Sequence, residues 1–502
     1  MPHRAHPDLT EGDTGRPAPL TEAEVTRVVL GLLLALFLAA IDQTIVSVAL
    51  VSIARDIGGF ELVPWVVSGY LVASTVSTPI YGKLSDLYGR RPLLSVAIAI
   101  YMLAALLCAL AQSMPQLVAF RILQGLGGGG LIALSQATIA DIVPGAQRGR
   151  YQGYLSGVFA VAAVAGPVLG GYLTFYLSWR AIFWQAVPLA IAAFLISRRA
   201  MLRLSARGER RPIDWLGALL LAAGLSALMI ALTRIGQGHG WDSPSTLLLA
   251  GLSALSLIAC ALREQVAPEP ILPPDLFTSR TVILCYLLAG LAFFVLVGNS
   301  VLLPIWMQSL GGAGADEVAL RMLPLTLAVP AGAFVSGRTM MRTAGYRPLM
   351  LWGSVLSLAA AAALPFIPVA ADLPAALAMT LLGLGLGLQM PASLVAVQSA
   401  VAPRQMGIAT AVSALFRTLG GAVGIAILTA VLFAQVRAAR GLSAGEATGP
   451  LADVAAETLQ AGFRGAFGVT LGVAVLSLIV AWAIPARTLL AAPESSSTGP
   501  RG

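Results

Sequence analysis

Charged residues are scarce in this chain of 502 residues. They account for 11% of the sequence and hydrophobic residues for 58%, whereas soluble domains carry about 25% charged residues. Histidine and cysteine are limited to three each, and Cys108, Cys260 and Cys285 lie in apolar stretches that suit neither a disulfide framework nor a zinc cluster. No phosphate-binding Gly-Lys-Ser/Thr sequence occurs. The sequence therefore predicts an integral membrane protein that is not an enzyme and has no catalytic residues, metal or cofactor.

Long apolar runs occupy most of the chain. A helix that crosses a membrane needs roughly 20 mainly apolar residues, and runs of that kind predict an all-α polytopic fold with fourteen transmembrane helices. The predicted spans are 28–53, 63–82, 92–112, 116–138, 152–175, 180–197, 214–235, 246–262, 281–307, 318–338, 348–369, 373–398, 407–434 and 464–488. The segments 1–27 and 489–502, rich in Pro, Ser, Gly and charge, predict disordered tails.

Two loops of similar pattern indicate an internal repeat. The loop at 82–92 and the loop at 337–348 share a leading Gly, a later Gly, a cation and a closing Pro. Such repeats are typical of transporters whose binding site lies at the membrane midplane between two halves. We therefore predict two six-helix bundles with an accessory helix pair between them. The boundaries are 28–197 and 281–488 for the bundles, 198–213 for a basic cytoplasmic loop and 214–262 for the accessory pair.

Cations are distributed unevenly between the two sides of the predicted membrane. Of the 31 lysine and arginine residues, 22 fall in the tails and the even-to-odd loops, and 7 fall in the opposite loops. Cytoplasmic loops carry an excess of such residues, so both termini are predicted to be cytoplasmic in the plasma membrane. The net charge of +8 is spread over short loops rather than one patch, which argues against nucleic acid as a partner.

Four short motifs occur in order along the predicted spans. They are Ile41-Asp42-Gln43-Thr44-Ile45-Val46 in the first span, Gly82-x-x-x-Asp86-x-x-Gly89-Arg90-Arg91 after the second, Arg121-Ile-Leu-Gln124-Gly125-Leu-Gly127 in the fourth and Gly157-x8-Gly166-Pro167-x2-Gly170-Gly171 in the fifth. The set resembles the signatures of the major facilitator superfamily, specifically of its 14-span drug:proton antiporter branch. The resemblance implies a proton-coupled antiporter that exports hydrophobic or amphipathic small molecules. Its expected partners are membrane lipids, protons and the substrate, and we expect a monomer.

Asp42 lies midway between Arg27 and Arg55, so helix geometry places it near the centre of the bilayer. A charged aspartate there costs about 2.5–3.5 kcal/mol on insertion scales, which favours proton uptake and predicts a proton carrier. The resemblance implies that Arg121, also within a span, takes part in coupling by pairing with a nearby acid. The alternative for both residues is a fixed hydrogen bond that holds neighbouring helices together.

The loop at 82–92 predicts a gate. Gly82 and Gly89 allow a close backbone approach and a tight turn, and Asp86 can bind the N-terminal amides of a nearby helix, where the dipole favours an anion. Arg90 can reach Asp141 at the end of the fourth span. Together these contacts would lock the two halves in an outward-facing state and release them when the contacts break. The alternative is a positively charged turn that only sets topology.

The glycines of the fifth span predict close helix packing. Gly157, Gly166 and Gly170 fall close to one helix face, with Pro167 bending the helix, and small residues let helices approach closely in lipid. The resemblance implies that this face forms a pliable seal against leak. Simple packing is the alternative.

Polar and aromatic residues near the predicted midplane are candidates for substrate binding. They are Gln43, Gln124, Trp184, Asn299, Trp306, Gln389 and Arg417. Few charges and many aromatic rings suit amphipathic compounds, including cations held against the rings. Two other hypotheses stay open: an exporter dedicated to one endogenous metabolite or lipid, and a membrane receptor without transport.

Overall fold

The structure, a computed structural model, describes residues 22–59, 62–143, 147–201, 213–236, 240–241, 243–343, 345–441 and 454–485. These residues fold into sixteen α-helices, which confirms the all-α prediction. The helices are α1 (Glu22–Ile57), α2 (Val63–Tyr88), α3 (Arg90–Ala109), α4 (Met114–Ile142), α5 (Arg148–Tyr176), α6 (Ala181–Trp184), α7 (Ala186–Met201), α8 (Trp215–Gly236), α9 (Pro244–Glu264), α10 (Arg280–Ser309), α11 (Ala315–Arg321), α12 (Leu323–Thr343), α13 (Arg347–Ala363), α14 (Asp372–Ala400), α15 (Met406–Arg440) and α16 (Ala456–Ala483).

The predicted tails and basic loop fall mostly outside the described residues. Residues 1–21, 202–212 and 486–502 are not among those described, so the predicted tail at 489–502 lies wholly outside. Helix α1 begins at Glu22, within the other predicted tail. Helix α7 continues to Met201, within the predicted loop.

Twelve helical segments among the described residues are long and apolar enough to cross a membrane. Two predicted spans are not among the twelve. Helix α2 covers 63–82, but a row of serine and threonine residues at 74–78 lowers its hydropathy. The span predicted at 180–197 corresponds to the shorter apolar stretch Ala181–Ile196. Within it α6 ends at Trp184 and α7 begins at Ala186. The count of fourteen spans therefore stays a prediction.

Glycines on α4 allow the first bundle to pack tightly. A Cβ at Gly127 would lie 2.6 Å from the backbone nitrogen of Tyr101 on α3, and a Cβ at Gly125 would overlap the backbone of Tyr70 on α2. Without a hydrophobic driving force between helices in lipid, such close backbone approach is the main source of helix association. The glycine run places α4 directly against α2 and α3.

The glycine motif of α5 packs against α1. A Cβ at Gly170 would lie 2.7 Å from the Ile45 carbonyl oxygen, and one at Gly166 would overlap the Thr44 side chain. The Thr44 hydroxyl donates a hydrogen bond to the Ala162 carbonyl at 3.0 Å. The space beside Gly157 is open, so this residue does not share the contact predicted for the motif.

The second bundle repeats the same packing. A Cβ at Gly424 on α15 would overlap the backbone of Phe294 on α10, and one at Gly383 on α14 would lie 2.7 Å from the Ala328 Cβ on α12. Between the bundles, α2 packs against α15 and α5 packs against α12. The two bundles therefore meet mainly along these two pairs of helices, with smaller contacts of α4 with α15 and of α5 with α14.

The accessory pair is integrated into this interface. Helix α8 packs against both α2 and α15; Leu221 and Leu225 lie in one cluster with Val76 and Leu415. Helix α9 packs against the outside of α8 and exposes a row of leucines. These are Leu247, Leu248, Leu252, Leu255 and Leu262. The pair thus closes one side of the groove between the bundles.

We predict that Gly127→Val destabilises the protein, because a side chain there must displace the Tyr101 backbone. Overpacking of this kind typically costs about 1–3 kcal/mol. Thermal unfolding followed by size-exclusion chromatography in detergent measures the effect. Gly251→Val on α9 is the matched control, since the space beside Gly251 is open. An equal loss in both variants would contradict the packing argument.

Candidate functional site

A cavity of about 770 Å³ lies between the two bundles. Its walls come from α1, α2, α4, α5, α8, α10, α12, α14 and α15, and most of the lining side chains are apolar. Along α2 it extends from Pro64 in the first turn to Thr78, and it also reaches Gly236 and Met322. This volume is within the range of pockets for drug-sized ligands. Pro64, Gly236 and Met322 all lie at the ends of helices, so the cavity reaches the ends of the helices there, and we call this end of the molecule the open end.

A set of charged contacts joins the bundles at the opposite end. The Asp86 carboxylate accepts hydrogen bonds from the backbone N–H groups of Gly407 at 3.0 Å and Ile408 at 2.8 Å, both in the first turn of α15. A carboxylate at a helix N-terminus satisfies amides that have no partner within the helix and interacts favourably with the helix dipole. Arg90 Nη1 lies 2.7 Å from Asp86 Oδ1. The predicted bond from Asp86 to helix amides is present.

Arg90 extends this set to α4. Its Nε donates to Asp141 Oδ2 at 2.8 Å, as predicted. Gly89 between α2 and α3 has a φ of +89°, which favours glycine, and a Cβ at Gly82 would lie 2.5 Å from the Ala411 Cβ on α15. We call Asp86, Arg90, Asp141 and the first turn of α15 the latch.

A second ion pair at the same end was not predicted from the sequence. Lys83 Nζ lies 3.1 Å from Glu269 Oε2, and both side chains are largely buried. Glu269 follows α9, so this pair ties the segment after the accessory helices to α2.

Asp42 and Arg121 form a buried ion pair beside the cavity. Arg121 Nη1 lies 2.5 Å from Asp42 Oδ2, and the side chains are 1% and 4% exposed. Arg121 Nε donates to the Val66 carbonyl at 3.0 Å, and Gln124 Nε2 donates to Asp42 Oδ1 at 3.2 Å. The guanidinium carbon of Arg121 is 4.3 Å from the centre of the Tyr70 ring. The structure thus brings together the two charges that the sequence placed in separate spans.

Arg417 lies deeper in the cavity. Its Nη2 donates to Gln136 Oε1 at 3.0 Å, and its guanidinium carbon is 5.6 Å from the centre of the Phe293 ring. Gln136 belongs to α4 and Arg417 to α15, so this bond crosses between the bundles.

The fold and these contacts agree with the comparison to known families. The model of the Major Facilitator Superfamily matches residues 32–425. The chain belongs to this superfamily. It is therefore a multi-pass membrane transporter and not an enzyme, which sets aside the hypothesis of a receptor without transport.

Similar proteins include two from Bacillus subtilis (strain 168). The chain is 32% identical over 417 residues to multidrug transporter protein MdtP, covering 82% of this chain and 76% of that protein. It is 32% identical over 412 residues to multidrug resistance protein 3, covering 82% and 80%. The crystal structure of the human organic anion transporter MFSD10 (TETRAN) has a TM-score of 0.63 at 17% identity, covering 91% of this chain and 98% of that chain. This last likeness concerns the fold alone.

Of the seven substrate-binding candidates in this transporter, Gln43 and Arg417 line the cavity. The other five lie elsewhere. Gln124 is fully buried beside Asp42, and Trp184 is 48% exposed in α6.

The remaining three candidates make contacts within the second bundle. Gln389 Nε2 donates to Ser357 Oγ at 3.2 Å, and Asn299 Nδ2 donates to Thr470 Oγ1 at 3.3 Å. Trp306 packs edge-on against the Phe467 ring. Buried amides need hydrogen-bond partners wherever they lie. Residue type alone therefore does not distinguish an amide that faces the cavity from one that bonds to a neighbouring helix.

Sequence reasoning missed the polar wall that α2 gives to the cavity. Tyr70, Ser74, Thr75 and Thr78 all line it. Their spacing of i, i+4, i+5 and i+8 puts them near one helix face, and this pattern would have identified the wall.

We predict that Asp86→Asn opens the latch end. The change removes the charge held by the α15 amides and by Arg90, and a loss of about 1–2 kcal/mol shifts a two-state ratio roughly five- to thirtyfold. Spin labels at Gln147 and Arg342, both exposed at this end, would report more long distances by pulsed electron resonance. Transport should fall at equal membrane abundance.

Asp56→Asn is the matched control for Asp86→Asn. Asp56 pairs with Arg180 at 2.6 Å within the first bundle and outside the spans, where hydrogen bonds from Arg180 and Trp179 lower the pKa of its carboxyl. Asp56→Asn removes the same charge as Asp86→Asn but breaks no contact between the bundles. Unchanged distances between the spin labels and unchanged transport in Asp86→Asn would show that the loop at 82–92 only sets topology.

Proposed function

We propose that this transporter exports hydrophobic or amphipathic small molecules, drugs and antibiotics among them, in exchange for protons. The observation that carries the proposal is the buried Asp42–Arg121 pair, whose Arg121 lines the cavity between the bundles. The names of the two Bacillus relatives, a multidrug transporter and a multidrug resistance protein, support drug-like substrates. Alternating access across the latch would move the cavity opening from one side to the other.

The membrane arrangement in this proposal has fourteen spans in the plasma membrane, with both termini cytoplasmic and a monomeric chain. On that topology the latch faces the cytoplasm, because α2 ends on the side where α1 begins. The open end then faces outward. We infer that the state described here is outward-facing and that the Asp86 contacts close the cytoplasmic path.

Proton binding at Asp42 supplies the coupling step. Protonation removes the negative partner of Arg121, and leaving one charge of a buried pair without its partner costs roughly 3–5 kcal/mol. A rearrangement that gives Arg121 new acceptors relieves this cost. One acceptor is already in place, because Arg121 Nε donates to the Val66 carbonyl of α2. Differential stabilisation of about 5.5 kcal/mol takes a two-state equilibrium from 1:99 to 99:1. The cost of unpairing Arg121 is smaller than this value, so protonation of Asp42 alone shifts the ratio of the two states by roughly a hundredfold to a few thousandfold, at 1.4 kcal/mol for each factor of ten.

We predict that both termini are cytoplasmic, because lysine and arginine residues are distributed unevenly between the two sides of the predicted membrane. A reporter that is active only in the cytoplasm, fused to either end, should give full signal. Signal from a reporter active only outside the cytoplasm, at either end, would contradict fourteen spans.

We predict that Asp42→Asn abolishes uphill export, because the amide keeps the size of the carboxyl group but carries no proton. A membrane potential of 100 mV supplies about 2.3 kcal/mol per charge only if a charge moves. Everted membrane vesicles with an imposed proton gradient and a panel of neutral, cationic and anionic fluorescent compounds measure accumulation. The native protein should concentrate at least one compound, and Asp42→Asn should reach only equal concentrations.

Asp42→Glu is the control, since it restores a titratable group on a side chain one methylene longer. It should recover part of the uphill export at matched protein amount. Uphill export by Asp42→Asn at the native rate would show that the coupling acid lies elsewhere.

A further inference from the structure

The charged side chains that line the cavity are all cationic. Arg121 and Arg417 are the two charged residues among the described residues of the lining, and no aspartate or glutamate lines the cavity in this part of the chain. Arg121 is neutralised by Asp42, which lies behind it at 2.5 Å. Within the described residues, Arg417 has no carboxylate within 4.0 Å. The cavity wall therefore carries one uncompensated positive charge.

The surroundings of Arg417 leave most of its donors unused. A guanidinium has five N–H groups, and the described residues accept one hydrogen bond from it, through the neutral amide oxygen of Gln136. The Phe293 ring lies 5.6 Å from the guanidinium carbon. A cation removed from bulk water is costly unless it is paired and hydrogen-bonded. An anion in the cavity would supply the missing partner.

The two cations stand at different depths. Gln136, which accepts from Arg417, follows Arg121 on α4 by a distance of about 22 Å at 1.5 Å per residue. The cavity that contains both cations is lined mainly by apolar side chains, among them Leu296, Val297 and Leu394, with the polar wall of α2 on one side. A ligand with one charged group and an apolar body fits this arrangement, with the charge at the deep end.

We propose that Arg417 binds the anionic group of the substrate, so that the cavity selects amphipathic organic anions such as carboxylates or sulfonates on an apolar scaffold. The proposal deepens the proposed function and rests on the cavity being the substrate site. It replaces the expectation that aromatic rings select cations, because a like charge at Arg417 repels them. Export of an anion in exchange for an entering proton also moves charge in the same electrical sense, so the membrane potential drives both movements.

Binding of 1-naphthylacetic acid and 1-naphthylacetamide tests the proposal. The two probes share their rings and differ in the charge at neutral pH. Scintillation proximity with the purified full-length protein in detergent measures each affinity. Comparing the ratio of acid to amide affinity between variants in the same detergent removes the difference in micelle partitioning of the two probes. We expect a ratio of at least about tenfold in the native protein, as for a charge-assisted hydrogen bond.

Three variants test whether Arg417 causes the higher affinity for the acid than for the amide. Arg417→Gln should bring the ratio to within about twofold of one, and Arg417→Lys should keep most of it. Gln136→Glu should also lower it, since a carboxylate at that position pairs with Arg417 from within the protein. Arg338→Gln, an exposed arginine on α12 that does not line the cavity, is the matched control and should leave the ratio unchanged.

Several outcomes would overturn the proposal. The first is an equal affinity of the native protein for acid and amide. The second is an affinity ratio that persists in both Arg417→Gln and Gln136→Glu. The third is loss of the acid preference when chloride replaces gluconate as the buffer anion, which would indicate an inorganic halide site. Binding is measured without a proton gradient. Absence of transport in vesicles therefore contradicts the proposed function, whereas absence of the acid preference contradicts the anion assignment.

Discussion

The buried ion pair between Asp42 and Arg121 is the constraint on which the arrangement of the first bundle depends. Neither charge is tolerated alone at that depth, because an isolated charge in the membrane is expensive and is retained where it finds a partner. The pair requires α1 and α4 to lie side by side, and the Arg121 bond to the Val66 carbonyl requires α2 beside them. Gln124 completes the set by bonding to both charges. The polar groups fix how these helices meet.

Glycine makes that meeting possible. Helices in lipid gain nothing by hiding apolar side chains from the acyl chains, so association depends on close packing and on hydrogen bonds between helices. The glycines of α4 bring its backbone against Tyr70 and Tyr101, which holds Arg121 where it can reach Asp42. The glycines of α5 bring its backbone against Thr44 and Ile45 of α1, the helix that carries Asp42. The glycines of both helices therefore support the charged pair through packing.

The two bundles repeat in fold but differ in chemistry. In the first, Asp86 binds the start of α15 through two backbone amides. The corresponding loop of the second bundle carries Arg342 in the region that would match Asp86, and its helix α12 meets α5 through an apolar contact, where a Cβ at Gly153 would lie 3.5 Å from the Phe334 Cα. At this end the contact of α2 with α15 is thus charged and the contact of α5 with α12 is apolar, so a change in charge at Asp86 acts on the first of these two helix pairs.

The sequence by itself determined the membrane class, the all-helical fold and the pairs Asp86 with helix amides and Arg90 with Asp141, because apolar run length and motif spacing depend on local properties of the chain. Only the tertiary structure decided which polar side chains face the cavity. Gln389 and Asn299 have the same type and depth in their spans as Gln43, yet their partners lie on other helices of their own bundle. That Arg417 meets a neutral amide and an aromatic ring also depends on what α4 and α10 place opposite it. Contacts between distant segments are set by helix rotation and packing, which residue type along one helix does not specify.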